Sequence, residues 1–214
     1  MILGIIGDIH GHLPALKAVL ARLDNAGVEN LVNTGDCVAG NPWSGGVIDL
    51  LRERNIPTAQ GLEDRQVVRF ARRRGVRGGD ARGGQFDSIR RAFESLSSDQ
   101  IEFLRSLPKL VTLELDGVRI AVAHGTPGAQ SRPLLASDDV DLFRRQRERT
   151  NADVIACGQS HQAFCRWVDG ILFVNPGAVG PPAGWSLPAQ YALVNTEFAP
   201  WECKIKSVPL DEPE

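Results

Sequence analysis

A four-layer α/β/β/α sandwich, an α/β fold of two mixed sheets with outer helices, is the fold class this sequence predicts. Two observations lead there. Residues 1–60 alternate apolar strand-like runs with amphipathic stretches, the pattern of parallel crossover units, whereas residues 163–208 carry short strand-like runs at close spacing. The length of 214 residues, 43% of them hydrophobic, suffices for one substantial core. No stretch resembles a linker, so one domain over residues 1–214 is expected.

Taken in order, the first apolar run predicts a strand over 2–7. A helix at about 13–26 follows, with Pro14 in its first turn, where no amide donor is needed, and Gly27 at its exit. Next come a strand at about 29–34, a helix at about 44–54 and a strand at about 56–60, which completes β-α-β-α-β. From Asp64 to Arg91 the chain is rich in arginine and broken by Gly75, Gly78, Gly79, Gly83 and Gly84, which reads as helix, glycine loop, helix. Ser97 or Ser98 caps a short helix through Leu107, and Pro108 stops it. Asp116-Gly117 between Lys109–Leu115 and Val118–Ala123 is a two-residue hairpin signal. A polar helix at 138–149, a strand at 153–157 and four short strands at 163–168, 171–174, 190–195 and 201–208 complete the chain, the last four read as antiparallel.

The formal net charge of −2 disfavours generic binding to nucleic acid or membrane and points to a small partner. Cys37, Cys157, Cys165 and Cys203 form no Cys-x-x-Cys pair, so they read as reduced, mostly buried thiols, in keeping with a cytoplasmic setting. No apolar run approaches membrane-spanning length, and the first is cut short by Asp8, so no export or anchoring signal is expected.

The chemistry sits where the apolar runs end. Asp8-Ile9-His10-Gly11 follows the first run, Asp36 follows Leu31-Val32-Asn33-Thr34-Gly35, His124 follows Val118–Ala123, and His161 follows the run from Val154. Carboxylates and imidazoles at four strand exits suggest one metal site at one sheet edge. All four histidines, His10, His12, His124 and His161, lie in or beside these positions. Ser44, Ser131 and Ser160 have no evident His/Asp partnership, which argues against a serine hydrolase.

Together with Gly158-Gln159-Ser160-His161 and Asn175-Pro176-Gly177-Ala178-Val179-Gly180, these pieces resemble the calcineurin-like metallophosphoesterases, in particular the small bacterial stand-alone phosphodiesterases, over residues 2–208. In that family two metals clamp a phosphate. The resemblance implies that Asp8, His10, Asp36 and His161 hold the first metal, and that Asp36 bridges to a second, where His124 also binds. It departs from the family at two ligands: Leu62 of Gly61-Leu62-Glu63-Asp64 stands where an Asn ligand belongs, and Gln159 stands where the family has His. One tight site is therefore expected, with the second weak or absent. His12 and Glu63 are the residues placed to compensate, Glu63 by turning an oxygen toward a hard cation.

These readings imply a divalent transition metal, with Mn or Fe favoured by the mixed O/N set and Zn also admissible. Asp36, His124 and Asp64 are the candidate catalytic residues, Asp64 by orienting the site from behind. Arg65 and His12 are the candidate substrate-binding residues. Trp43 and Trp185 are loop anchors or stacking surfaces. The expected partner is a small phosphorylated substrate, a phosphodiester or phosphomonoester cleaved by activated water, and a homo-oligomer is compatible with the family. The rival reading is a catalytically silent relative that binds a phosphorylated ligand or a protein partner.

Overall fold

The computed structural model describes residues 1–73, 84–180, 187–198 and 200–210. Its elements are β1 (Ile2–Ile6), α1 (Leu13–Asn25), β2 (Asn30–Asn33), α2 (Ser44–Glu53), α3 (Leu62–Arg73), α4 (Gly84–Ser95), α5 (Ser98–Ser106), β3 (Leu110–Leu115), β4 (Val118–Ala123), α6 (Val140–Arg147), β5 (Val154–Ala156), β6 (Phe164–Val168), β7 (Ile171–Asn175), β8 (Ala189–Asn195) and β9 (Glu202–Val208). The glycine loop of the arginine-rich segment, Pro181-Pro182 and Trp185 lie outside the described residues.

Two mixed sheets form, one in the order β2-β1-β8-β9 and the other β3-β4-β5-β7-β6. Three apolar clusters show how the layers stack. Leu3, Ile5, Val32, Val122, Val154, Leu172, Val174 and Val194 fill the space between the sheets. Leu16, Val19, Leu20, Val47, Ile48, Val67, Ile89 and Leu104 of the first five helices join Ile6 on the outer side of the first sheet. On the outer side of the second sheet, Phe143 of α6 meets Phe173 and Phe164 edge to face, with ring centroids 5.0 and 6.2 Å apart. The layers are thus helices, sheet, sheet, helix. The inward and outward neighbours along β1 explain why that run reads as continuously apolar: both of its faces are covered.

Local chemistry sets the element ends. His12, rather than one of the usual small polar residues, caps α1, its Nδ1 accepting from the Ala15 amide at 3.2 Å. Ser97 and Gln100 form a reciprocal capping box at the start of α5. Asp116-Gly117 makes the expected turn between β3 and β4 with φ of 50° and 77°, and Asp169-Gly170 repeats it between β6 and β7 at 48° and 80°.

Three expectations need correction. The strand at 56–60 reduces to a single parallel bridge between Asn33 and Thr58, because β2 ends there and offers no further ladder. The last four strands are not one antiparallel set: β6–β7 and β8–β9 are hairpins in different sheets, and β7 runs parallel to β5. Finally, Cys165 and Cys203 are bonded to each other, while Cys37 and Cys157 are free and buried. The bonded pair joins β6 to β9, the outer strands of the two sheets, and Trp167 and Trp201 pack beside it with ring centroids 6.0 Å apart. The disulfide removes the argument from free thiols to a reducing compartment. Among the described residues, no helix is long and apolar enough to cross a membrane.

Candidate metal centre

The loops after β1 and β2 run side by side. The amide of Asp8 donates to Gly35 O, those of Ile9 and His10 to Asp36 O, and that of Gly11 to Cys37 O, each at 2.9 Å. On the second sheet, the Gly158 amide donates to His124 O at 2.7 Å, which ties the loop after β5 to the end of β4. Buried Asn175 fastens that loop from β7, its amide donating to Gly158 O and Ser160 Oγ at 3.0 Å each. The expected single sheet edge is therefore a seam: Asp8, His10 and Asp36 come from one sheet, His124 and His161 from the other.

Backbone strain gathers at this seam. Of the nine non-glycine residues with positive φ among the described residues, five are Asp8 (49°), His10 (48°), Asp36 (51°), Gln159 (67°) and His161 (56°). Such backbone persists where the surroundings over-determine it, and it is characteristic of functional sites. Two glycines admit the close approach this requires. A Cβ on Gly158 would stand 2.6 Å from Thr34 Oγ1 and 2.7 Å from Asp8 Oδ2, and one on Gly61 would collide with the backbone and carboxylate of Asp36.

Three overlapping sets of potential metal donors result: Asp8 with His10 and His161, Asp8 with Asp36 and His124, and His10 with Asp36 and Glu63. The first set is the best formed. His10 Nε2 is 3.0 Å from His161 Nε2 and 3.9 Å from Asp8 Oδ1, and His161 Nε2 is 3.5 Å from the same oxygen. A triangle with those edges has its centre about 2 Å from every corner, close to the roughly 2.0–2.2 Å of a bond from zinc to imidazole nitrogen or carboxylate oxygen. These donors fit a transition-metal ion.

In the second set, His124 Nε2 is fully buried and 3.1 Å from Asp36 Oδ2, but that contact is poorly directed, and the nitrogen has no hydrogen-bond partner. His124 Nδ1 lies 3.2 Å from Thr34 O, so the ring donates there, and Nε2 is the atom whose lone pair faces the cluster once the ring is neutral. The two departures from the family stand beside this set. Leu62 opens α3 and has no donor atom to offer, and Gln159 spends its backbone amide on both Asp8 oxygens at 3.2 and 3.0 Å while its buried Oε1 has no partner.

Burial and charge oppose each other throughout the cluster. Burial lowers the pKa of His10, but the Glu63 hydrogen bond and the charges of Asp36, Glu63 and Asp8 outweigh it and hold the ring at about 9. His124 reaches about 9 in the same way, burial being overcome chiefly by the Asp36 charge. Burial acts to raise Asp36, yet the neighbouring His124 and His10 keep it below the ordinary carboxylate range. Asp64 is pushed up to about 6 by burial and by the Asp36 charge. So many carboxylates around these rings demand positive charge, supplied by protons or by a metal.

The remaining candidate residues lie around the cluster. Asp64 belongs to none of the donor sets; its Oδ1 accepts from the Cys37 amide at 2.9 Å and its Oδ2 from the Gly61 amide at 2.8 Å, which binds the Asp36 loop to the turn before α3. Arg65 Nη1 donates to Gln130 Oε1 at 3.1 Å, and Gln130 in turn donates to Gln60 O, so this arginine braces the loop after His124. His12 has its Nδ1 committed to the α1 cap and its ring against Trp43, centroids 5.8 Å apart. Glu63 shares a donor set with His10 and Asp36: its Oε2 sits 2.8 Å from His10 Nδ1, and its backbone amide donates to Asp36 Oδ1 at 2.8 Å. The supports given by Thr34 O and the Gln159 amide are backbone interactions, which leave no signal in residue types.

A family model described as the calcineurin-like phosphoesterase superfamily domain matches residues 1–198. The uncharacterized protein MJ0912 of Methanocaldococcus jannaschii is 25% identical over 213 residues, which cover 89% of this chain and 81% of that one. The crystal structure of the hypothetical protein PH1004 from Pyrococcus horikoshii OT3 superposes with a TM-score of 0.80 at 18% identity, over 99% of this chain and 89% of its own. A metallophosphoesterase from Sphaerobacter thermophilus gives 0.73 at 22% identity, over 99% and 90% of the two chains. At these identities the two structures share the fold.

Proposed function

Since this chain belongs to the calcineurin-like phosphoesterase superfamily, we propose that it is a metal-dependent phosphoesterase that cleaves a small phosphodiester or phosphomonoester by attack of water. The observation that supports this most is the donor triangle of Asp8, His10 and His161 beside the unpartnered Nε2 of His124. An acidic cluster of this kind repels a phosphate by itself. A hydrolytic site and a cation therefore go together here, and a metal-free phosphate receptor is the poorer match.

A divalent metal, when bound, polarises the phosphoryl oxygen and makes water a better nucleophile. Asp8, His10, His161 and Asp36 would hold it. Asp36 belongs to the set with Asp8 and His124 and to the set with His10 and Glu63: its Oδ1 accepts from the Glu63 amide and its Oδ2 faces His124. With Nδ1–H tied to Thr34 O, the neutral ring of His124 would turn its Nε2 lone pair toward a cation, and only with Nε2 also protonated would it donate to a phosphoryl oxygen. Asp64, fixed by two amides behind Asp36, keeps that loop from relaxing. Mn²⁺ or Fe²⁺ suits the mixture of oxygen and nitrogen donors best, with Zn²⁺ as the competitor. The loss of donors at Leu62 and Gln159 makes one tight ion per chain the expected loading and slow turnover the expected rate.

Hydrolysis of bis(p-nitrophenyl) phosphate with added Mn²⁺, set against the Asp36→Asn variant, tests the proposal. Turnover that depends on both the metal and Asp36 supports it. Tight Mn²⁺ binding with no hydrolysis of mono- or diesters would favour the silent relative instead.

A further inference from the structure

Glu63 occupies an unusual place. As the second residue of α3 it donates its backbone amide to Asp36 Oδ1, and with its side chain it reaches His10 Nδ1 at 2.8 Å. One residue thus touches a candidate ligand from the loop after β1 and another from the loop after β2. Its side chain is 15% exposed, so the contact is sheltered from water on most sides.

We propose that Glu63 is a positioning residue of the metal site, and that it accepts the Nδ1 proton of His10 so that the lone pair of Nε2 points at the metal. This rests on the metal-dependent reading above. A neutral imidazole carries one ring proton, and whichever nitrogen donates leaves the other free. With Nδ1–H held by a carboxylate, Nε2 is the free atom, and Nε2 is the nitrogen that faces His161 Nε2 at 3.0 Å and Asp8 Oδ1 at 3.9 Å. His124 is set in the same tautomer by a different acceptor, the carbonyl of Thr34. A carboxylate partner also makes the bound imidazole a stronger base toward the metal.

The competing geometry has Glu63 as a direct ligand, since His10, Asp36 and Glu63 themselves form one of the three donor sets. In that arrangement the carboxylate would have to give up His10 Nδ1. The 2.8 Å contact favours support over ligation, because a nitrogen that donates a proton to Glu63 is not available to a cation at that point.

The test compares Glu63→Gln and Glu63→Ala with the parent in Co²⁺ affinity, the visible spectrum of the Co²⁺ form and the ring ¹⁵N shifts of His10. Glutamine still accepts the Nδ1 proton, so Co²⁺ affinity should fall only a few-fold and the spectrum should persist. Alanine removes the acceptor and should weaken Co²⁺ by about 10- to 100-fold, the usual effect of losing such a partner. In metal-free protein, at a pH where the ring ¹⁵N shifts themselves report the neutral form, they should show Nδ1–H in the parent and a tautomer mixture in Glu63→Ala. Equal losses of affinity in the two variants with a changed Co²⁺ spectrum would overturn the proposal in favour of direct ligation. An unchanged tautomer in Glu63→Ala would overturn it whether or not metal binds. A parent that takes up no Co²⁺ yet keeps the Glu63-dependent tautomer would refute the metal-dependent function and leave the pairing standing.

Discussion

His10 Nε2 faces His161 Nε2 at 3.0 Å across the junction of the two sheets. Two imidazole lone pairs repel at that distance unless a proton or a cation lies between them. With Asp8 they make the best-formed donor set, and the first prediction follows from it. Purified protein should carry close to one tightly held transition metal per chain by elemental analysis. His161→Ala should strip most of that ion in a chelator competition, whereas His124→Ala should leave most of it in place. Equal losses would mean that the two histidines serve the same ion.

Metal loading should be linked to pH. His10 and His124 both stand at about 9 in the metal-free protein, so at neutral pH each must give up a proton before it ligates. Apparent affinity should rise from pH 6 toward pH 9, and calorimetry in buffers of different ionisation heat should count the protons released. The same shifts act on stability. A folded-state pKa raised above 6.5 stabilises fully below pH 6.5, and that contribution is lost as pH rises through about 9. Asp64, at about 6, has largely ionised before most of this window is crossed. The urea midpoint of metal-free protein should therefore fall between pH 6.5 and 9, and that of loaded protein should not follow it.

Restoring the two missing donors tests what limits the rate. Leu62→Asn with Gln159→His should raise metal content from about one to two and speed hydrolysis of an aryl phosphodiester by 10²- to 10³-fold, roughly 3–4 kcal/mol. Each single change should do little. A double variant that binds two ions without a faster rate would show that the second ion is not the limiting element.

The disulfide invites a stability measurement. Cys165 and Cys203 are 38 residues apart, and closing a loop of that length removes about 4 kcal/mol of denatured-state freedom in the chain-entropy treatment. Cys165→Ser with Cys203→Ser should cost about 2–4 kcal/mol in urea unfolding, and reduction of the parent should reproduce it. A double variant as stable as the parent would show that the Trp167–Trp201 contact and the adjacent strands already hold that edge.

Much of this architecture could be read from residue patterns, and the failures have definite causes. Asp8, Asp36, His124 and His161 were conspicuous because a charged or imidazole side chain at the end of an apolar run has no structural need to be there. Hairpins announced by Asp116-Gly117 were equally plain, since the turn chemistry is local. Sheet membership was not, because a hairpin such as β8–β9 looks the same whichever sheet it joins. Nor was the pairing of Cys165 with Cys203, which depends on two edge strands meeting after the sheets have stacked. Glu63 was visible as a departure from the family, but its partner, His10, lies 53 residues away and is set only by the fold.

The seam between the sheets gives the ion a mechanical meaning. Moving one strand past its neighbour by a single residue is a step of about 3.3 Å, as large as the whole spacing between the His10 and His161 nitrogens. The ligand set therefore exists only when both layers are in final register, so an ion held there would enter late in folding. An ion that binds after the rate-limiting barrier leaves the speed of folding unchanged and slows only the escape from the native state. Loaded protein should owe its persistence to slow unfolding, with the cation acting as a latch that the two layers must release before they can slide apart.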